Sequence, residues 1–399
     1  MAGYEPRFEY THAMVGDLMA VEGARQLIEV LPLPPDAAFL LRYEAQRQST
    51  RYSTAIEGNT LNYAEMREAL AHSDRTGSRQ LQEVRNYWNA LEALEQLLPD
   101  ALTERLLGKG WHVTRHGADE TIRHLFSERF IQTLHSIIIP RGRGRRPAQS
   151  HYRNTECPVV DTTTGMIEYG PPAPDDVPDL MAALVAWRNS PVAQTLPAPI
   201  RAGILAYQFV TVHPFDDGNG RTARALATAE LWFSGYRMRG FLSVEEEYFR
   251  DLKLYYDSLQ MGLPMNYYEG RNDPDLTPWL EYFTHTLATA ADRLQTRAVS
   301  LHQAQQPEDT PWEGLSRREQ QVLMRLAHRP SAQSLTFTAA DVANWFMVSS
   351  QTSRTWLHEW RDNGFIEPAS GGERVRLWRL NLDYEALVEA LIAQRPGDE

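Results

Sequence analysis

Apolar residues recur at helical spacing along most of the chain. The stretch from Ala202 to Val212 (AGILAYQFVTV) is apolar on nearly every side, which predicts a buried helix. Thr222 to Ser234, rich in Ala and Leu and closing on Trp232 and Phe233, predicts a second. Glu83 to Leu98 is amphipathic, with Val84, Tyr87, Trp88, Leu91, Leu94 and Leu98 along one side. Thr121 to Ile139 repeats the pattern through Ile122, Leu125, Phe126, Phe130, Ile131, Leu134 and Ile138. The histidines it carries, His124 and His135, read as core or surface residues rather than metal ligands, because neither has the spaced partner a site needs. Further helices are predicted over Asp36 to Gln48 with Asp36 as N-cap, over Asp176 to Asn189, over Glu245 to Leu259, and from Thr277 with Pro278 in its first turn. Residues 1–30 mix charged and apolar positions without an assignable pattern.

Period-two signal is scarce. Val159-Val160 and Met166-Ile167, around a turn at Thr163 to Gly165, predict one β-hairpin. His112 to Asp119, preceded by Gly108 and Gly110, reads as a polar loop. Arg141 to Arg146 (RGRGRR) reads as a basic loop, either a solvated connector or an attraction for anionic groups.

The pattern changes near residue 300. His302 to Glu313 is polar with Pro307 and Pro311 and reads as a linker. Beyond it come helices at Arg317–Ala327, Thr338–Phe346 and from Val348 through Leu357. Strands are predicted at Gly364–Glu367 and Val375–Leu380 around Gly371-Gly372. Three helices and a hairpin resemble a winged helix, with Ser349 to Leu357 in the recognition-helix place. Ser350, Gln351, Ser353 and Arg354 would face a partner, with few cations nearby. DNA binding and protein docking both remain open.

Composition narrows the class. The chain has 399 residues, 42% of them hydrophobic, enough for more than one core. No segment approaches a membrane span, and no basic-then-apolar signal pattern opens the chain. The single cysteine, Cys157, cannot form an internal disulfide, so a reducing cytoplasm is expected. A net charge of −12 argues against broad nucleic-acid binding.

The densest chemistry lies between the two buried helices, in His213 to Arg224 (HPFDDGNGRTAR). Gly218, Asn219 and Gly220 open a helix, where free N–H groups and the dipole favour an anion and glycines admit a phosphate close to the backbone. Arg221 and Arg224 fall on one helical face and can grip successive phosphates. Asp217 can hold Mg²⁺, which takes one or two carboxylates plus phosphate oxygens. His213 has a near-neutral reference pKa and can accept a proton from a hydroxyl. Each feature alone is commonplace, but their concentration in twelve residues is not.

This stretch resembles the motif of the Fic family, HxFx(D/E)GNGRxxR, at every defined position. The resemblance implies a mainly α fold: a Fic-type helical bundle with a β-hairpin flap, here followed by a small α/β winged-helix domain. It implies transfer of AMP from ATP to a Ser, Thr or Tyr hydroxyl of a target protein. His213 would be the base, Asp217 the Mg²⁺ ligand and Gly218 to Gly220 the anion hole. Arg221 would serve the α/β-phosphates and Arg224 the γ-phosphate. Gly220 stands where a kinase-like branch, Doc, carries Lys, which favours AMP transfer. The hairpin residues Val159, Val160, Met166 and Ile167 would be the flap, holding a target segment by main-chain hydrogen bonds. Tyr255 and Tyr256 read either as aromatic core or as an adenine slot.

Ser53 to Gly58 (STAIEG), read alone, is a helix C-terminus with Gly58 in the capping place. Beside the Fic resemblance it is similar to that family's inhibitory motif, (S/T)xxxE(G/N). Glu57 would then pair with Arg224 and occupy the place of the γ-phosphate. Residues 61–70 also resemble the segment that succeeds this motif in the family. The expected organisation is an N-terminal helical region carrying the inhibitory helix (1–110), a catalytic core (111–300), a linker (301–314) and a winged-helix-like domain (315–399). The expectation is an autoinhibited protein adenylyltransferase using ATP and Mg²⁺, and the class is compatible with a homodimer. One alternative is a phosphodiesterase or two-way switch in which Glu57 orients a water that removes AMP. Another is a nucleotide-sensing, DNA-binding transcriptional regulator.

Overall fold

The glycine-rich turn joins two buried helices, and the rest of the helical body is layered round that pair. The computed structural model describes residues 3–71, 78–97, 126–140, 150–160, 164–304, 315–327, 335–369 and 376–393. Several sequence expectations lie outside these residues: the loop at Gly108 to Asp119, the start of the Thr121 helix, the Arg141 to Arg146 loop, the Thr163 end of the hairpin turn, most of the linker, and Gly371-Gly372.

In chain order the first helices are α1 (His12–Val30), α2 (Pro35–Ala55), α3 (Tyr63–Ala71), α4 (Arg79–Leu97) and α5 (Glu128–Ile138). Helix α1 is a finding over residues the sequence left unassigned. It is capped by the Thr11 side chain and buries Met14, Val21, Ala24 and Ile28. Helix α2 starts at Pro35 with Pro34, not Asp36, in the N-cap position, and runs on past Gln48 to Ala55. Helix α5 starts after Ser127, whose side chain accepts from the Phe130 N–H. Phe126 lies before the helix.

The hairpin comes next as β1 (Val159–Val160) and β2 (Ile167–Tyr169), paired antiparallel. Met166 precedes β2 rather than belonging to it. Then come α6 (Val177–Asn189), α7 (Pro191–Thr195), α8 (Ala198–Val212), α9 (Asn219–Phe233), α10 (Glu245–Arg250), α11 (Leu252–Gln260) and α12 (Thr277–Ala304). The single helix expected over Glu245 to Leu259 is broken at Asp251, whose side chain caps α11 by accepting from the Leu254 N–H. Helix α12 reaches Ala304, past the expected start of the linker.

Helix α8 is buried over nearly its whole length, as its all-round apolar sequence demands. Gly203 brings it against α12: a Cβ there would lie 2.8 Å from Leu280, and the Gly203 carbonyl accepts from Trp279 Nε1 at 2.8 Å. On α9, Glu230 is fully buried and accepts from Arg188 Nε at 2.8 Å and Arg201 Nε at 2.7 Å. Two cations on one carboxylate, outweighing the burial that alone would raise it, hold its pKa low. Glu245 ties α10 to α2 and α4 by accepting from Ser49 Oγ and Tyr87 Oη.

The C-terminal unit comprises α13 (Arg317–Ala327), β3 (Thr336–Phe337), α14 (Ala339–Trp345), α15 (Ser350–Asp362), β4 (Ile366–Pro368), β5 (Trp378–Leu380) and α16 (Leu382–Ala393). Its antiparallel sheet has the order β3-β5-β4. β3 and α16 carry no sequence expectation. A Thr338–Asp341 capping box starts α14, and Ser349 caps α15. The core of this unit, around Leu323, Phe337, Trp360 and Leu380, also takes in Phe39 and Tyr43 from α2. No described helix is long and apolar enough to cross a membrane.

Candidate active site

The site forms where α8 ends and α9 begins. His213 is the C-cap of α8 in the left-handed region (φ 51°), which turns the chain sharply. Gly218, at φ +77°, is the N-cap of α9, a conformation that favours glycine. A Cβ at Gly218 would also meet Ile139 at 2.8 Å. Between them the loop is closed by Asn219. Its side chain accepts from the Phe215 N–H at 3.0 Å and donates to the Phe215 carbonyl at 2.7 Å. The Asn219 side chain therefore faces the loop's own backbone, leaving the helix N-terminus as the anion-binding feature.

Two residues without any local sequence signal hold this turn. Arg153, almost fully buried, donates to the carbonyls of His213 (2.8 Å), Thr155 (3.1 Å) and Pro172 (2.5 Å). It thus fixes the motif to the segment after the hairpin. His135 lies flat on Phe215 with ring centroids 3.6 Å apart. Its Nε2 meets the Asp217 carbonyl at 2.8 Å and its Nδ1 meets Ser150 Oγ at 2.7 Å. It is a core histidine, as expected, with a positioning contact that spacing does not reveal.

His213 directs Nδ1 at the Val210 carbonyl, 3.3 Å away. That contact assigns the proton to Nδ1 and leaves Nε2 as the acceptor. Burial lowers its pKa to about 4, against a smaller upward pull from the Val210 hydrogen bond and from Glu57, so the imidazole is neutral at neutral pH.

Arg224 is buried and reaches the Ser53–Gly58 segment in three ways. Nη2 contacts Glu57 Oε1 at 2.8 Å and the Ser53 carbonyl at 2.7 Å, and Nε donates to Ser53 Oγ at 2.9 Å. Burial alone would lower its pKa, but the Glu57 charge and the Tyr255 and Tyr87 hydroxyls raise it. Gly58, at φ +85°, ends the turn after α2 that carries Glu57. A Cβ on Gly220 would overlap Glu57 Oε1, so the carboxylate lies directly over the start of α9.

Arg221 is 2% exposed and touches Asp217 Oδ1 at 3.1 Å and Glu83 Oε1 at 3.4 Å. The other Asp217 oxygen accepts from Arg79 Nη2 at 2.6 Å. The two tyrosines separate. Tyr255 is buried against Tyr248 with its hydroxyl 3.4 Å from Arg224 Nη1, so its ring is core and not a stacking face. Tyr256 is 43% exposed, and its hydroxyl donates to the Ile56 carbonyl at 3.1 Å. On the hairpin, Val160, Met166 and Ile167 are exposed and Val159 is half-buried. The hairpin is anchored by Tyr169, whose hydroxyl donates to the Thr211 carbonyl at 2.5 Å.

Residues 125–231 match the model of the Fic/DOC family, so the chain contains a Fic/DOC family domain. The chain is 29% identical over 193 residues to a protein adenylyltransferase Fic of Nematostella vectensis, covering 48% of this chain and 39% of that protein. It is 42% identical over 66 residues to that of Drosophila melanogaster, covering 16% of this chain and 13% of that protein. The chain thus spans well under half the length of these relatives. Among solved structures, a Fic family protein from Desulfovibrio desulfuricans G20 aligns with a TM-score of 0.54 at 22% identity, over 95% of this chain and 99% of that one. A Fic domain containing signaling protein from Bacteroides thetaiotaomicron aligns with the same score at 20% identity, over 73% of this chain and 99% of that one. These two show a shared fold.

Proposed function

We propose that the chain is an autoinhibited protein adenylyltransferase. The observation that carries this reading is the Glu57–Arg224 pair, seated over Gly220 in a site whose neutral His213 keeps Nε2 free. The relatives similar over 193 and 66 residues are named protein adenylyltransferases, which supports the same chemistry.

The target hydroxyl loses its proton to His213 Nε2 and attacks the α-phosphorus of ATP. A new oxygen–phosphorus bond forms, the bond to the bridging α–β oxygen breaks, and pyrophosphate leaves. The backbone N–H groups at the start of α9 and Arg221 stabilise the charge that builds on the phosphates. Arg224 grips the γ-phosphate once Glu57 withdraws. The exposed edge of the hairpin aligns the target segment beside His213, and Tyr256, not Tyr255, is the ring available to adenine.

Asp217 fits a magnesium ion in one respect: it offers a reachable, 46% exposed carboxylate beside the phosphate region, and Mg²⁺ needs few protein ligands. When bound there, the metal would neutralise charge on the phosphates. Asp217 would hold it, exchanging its contact with Arg79.

Glu57 blocks this cycle twice, by occupying Arg224 and by placing a negative charge where the γ-phosphate belongs. We further read residues 111–300 as the catalytic core and residues 315–399 as a winged-helix-like domain. Its exposed Arg361 and Arg379 are spent on Asp362 and Glu367, which supports protein docking over DNA binding.

The test compares ATP labelled at the α- and at the γ-phosphate. Wild type, Glu57→Gly and Glu57→Gly/His213→Ala are scored for label on protein. α-Label on protein with Glu57→Gly alone is expected. Transfer of γ-label would make the chemistry phosphorylation. Release of AMP from a modified protein, lost in Glu57→Gly, would make the enzyme a phosphodiesterase.

A further inference from the structure

Arg224 is one of two motif arginines faced by a carboxylate from outside the motif. Glu83, near the start of α4 and buried, has Oε1 3.4 Å from Arg221 Nη1. The same oxygen accepts from Arg79 Nε at 3.1 Å, and Arg79 in turn holds Asp217. Glu83 Oε2 accepts from Asn59 Nδ2 at 3.1 Å. Asn59 directly succeeds Gly58, so the segment that carries Glu57 is tied to the motif a second time. One path runs from Glu57 to Arg224, the other from Asn59 through Glu83 to Arg221.

The Arg221 end of the second path is incomplete. Its Nε and Nη1 atoms are buried without a hydrogen bond. Glu83 approaches Nη1 at ion-pair distance but outside hydrogen-bond geometry. The guanidinium is compensated in charge and unsatisfied in hydrogen bonds, which is costly for a buried donor. An oxyanion ligand would complete it, and the Arg221 Nη2 atom already lies close beside Gly218 at the anion-binding start of α9.

We propose that Glu83 sets the affinity of the site for the diphosphate part of the nucleotide, as Glu57 does for the terminal phosphate. This rests on the adenylyltransferase reading of the site. The physical basis is competition. Glu83 and the inner phosphates share one guanidinium, and a fixed carboxylate beside it repels the phosphate charge. Glu83 is a positioning residue, because it acts through Arg221 and not on the reacting atoms.

Substituting each carboxylate separates the two effects. Full-length protein carrying His213→Ala, which stops turnover, is titrated calorimetrically with ADP and with ATP in the presence of Mg²⁺. Glu57→Gly is expected to tighten ATP much more than ADP, because ADP has no γ-phosphate. Glu83→Gln, which keeps the shape and removes the charge, is expected to tighten ADP and ATP by the same factor, about fivefold. Glu83→Asp withdraws the carboxylate by one methylene and carries the same test if Glu83→Gln does not fold, with a smaller gain. An unchanged or weakened ADP affinity in these variants overturns the proposal and leaves Glu83 as a scaffold for Arg221. If Glu57→Gly binds neither nucleotide, the adenylyltransferase reading fails and takes this inference with it. If Glu57→Gly binds ATP while the Glu83 variants match their parent, only the role of Glu83 falls.

Discussion

Glu57 and Gly220 share one volume: the space a side chain would need at position 220 is filled by the Glu57 carboxylate. Under the proposed function, glycine at 220 admits either the Glu57 carboxylate or a phosphate, and not both. Gly220→Ala would push the flexible end of Glu57 aside and also crowd Arg224 Nη1, 3.3 Å from the added carbon. The same methyl would stand where the phosphate must approach. Glu57→Gly/Gly220→Ala is expected to transfer AMP at least about tenfold more slowly than Glu57→Gly. Equal rates would mean that the nucleotide does not approach Gly220.

Under the proposed autoinhibition, Ser53 is expected to share the hold on Arg224. Ser53→Ala removes the hydroxyl that accepts from Arg224 Nε but leaves the Ser53 carbonyl and Glu57 in place. A hydrogen bond to a charged group contributes about 1.5–3 kcal/mol, and part of that loss loosens the closed state. Basal AMP transfer should rise about two- to tenfold and stay below that of Glu57→Gly. A basal rate equal to wild type would assign the hold to Glu57 alone.

His213 gives a pH signature. Its folded pKa, lowered to about 4 by burial, lies below the ordinary histidine value of 6.5. Between these values the unfolded chain binds a proton that the folded one does not, so stability falls as pH drops from 6.5 towards 4. Well above that range the residue contributes no slope. In the nucleotide-free protein, the His213 ring proton tracked by NMR should not titrate between about pH 8 and 5.5. A midpoint near 6.5 would show the ring open to water. Glu57 raises the His213 pKa, so Glu57→Gly should move the midpoint lower still.

His135 should matter to rate more than to folding of the nucleotide site as a whole. His135→Leu keeps apolar volume against Phe215 but loses the bond to the Asp217 carbonyl. In the Glu57→Gly background, AMP transfer should fall about tenfold or more. An unchanged rate would show that the loop holds its shape through Asn219 and Arg153 alone.

The C-terminal unit is fastened to α4 by a buried ion pair. Arg325 Nη2 contacts Glu92 Oε2, Nε donates to Glu92 Oε1 at 3.0 Å, and Nη2 also donates to Asn89 Oδ1 at 2.8 Å. Glu92→Ala leaves a buried, unpaired guanidinium and should cost about 3–5 kcal/mol. A clear drop in melting temperature is expected by calorimetry. A shift of under about 1 °C would show that this pair does not hold the unit in place.

The helical body was legible where its pattern was strong. Helix α8 is apolar on nearly every side from Ala202 onward, and it is buried over nearly its whole length. Helix α1 is hidden in the sequence because its buried Met14, Val21, Ala24 and Ile28 alternate with exposed Val15 and Met19, which blurs the face. The break at Asp251 is hidden because periodicity runs on through it, whereas the capping bond that starts α11 is a local detail. Tyr255 and Tyr256 are adjacent in the chain and lie on different sides of one helix, so one is core and the other exposed.

By itself the sequence determined the contiguous parts of this site. His213, Asp217, the glycines and both arginines lie within twelve residues, and a helix start fixes their relation locally. Only the tertiary structure decided which distant groups meet them. Arg153, His135 and the α4 pair Arg79 and Glu83 come from elements outside the motif, and nothing in their spacing points to it, because a contact between elements depends on how the helices pack. Burial was decided there as well. It keeps His213 neutral and leaves two nitrogens of Arg221 unsatisfied, and both arise because the surrounding helices exclude water.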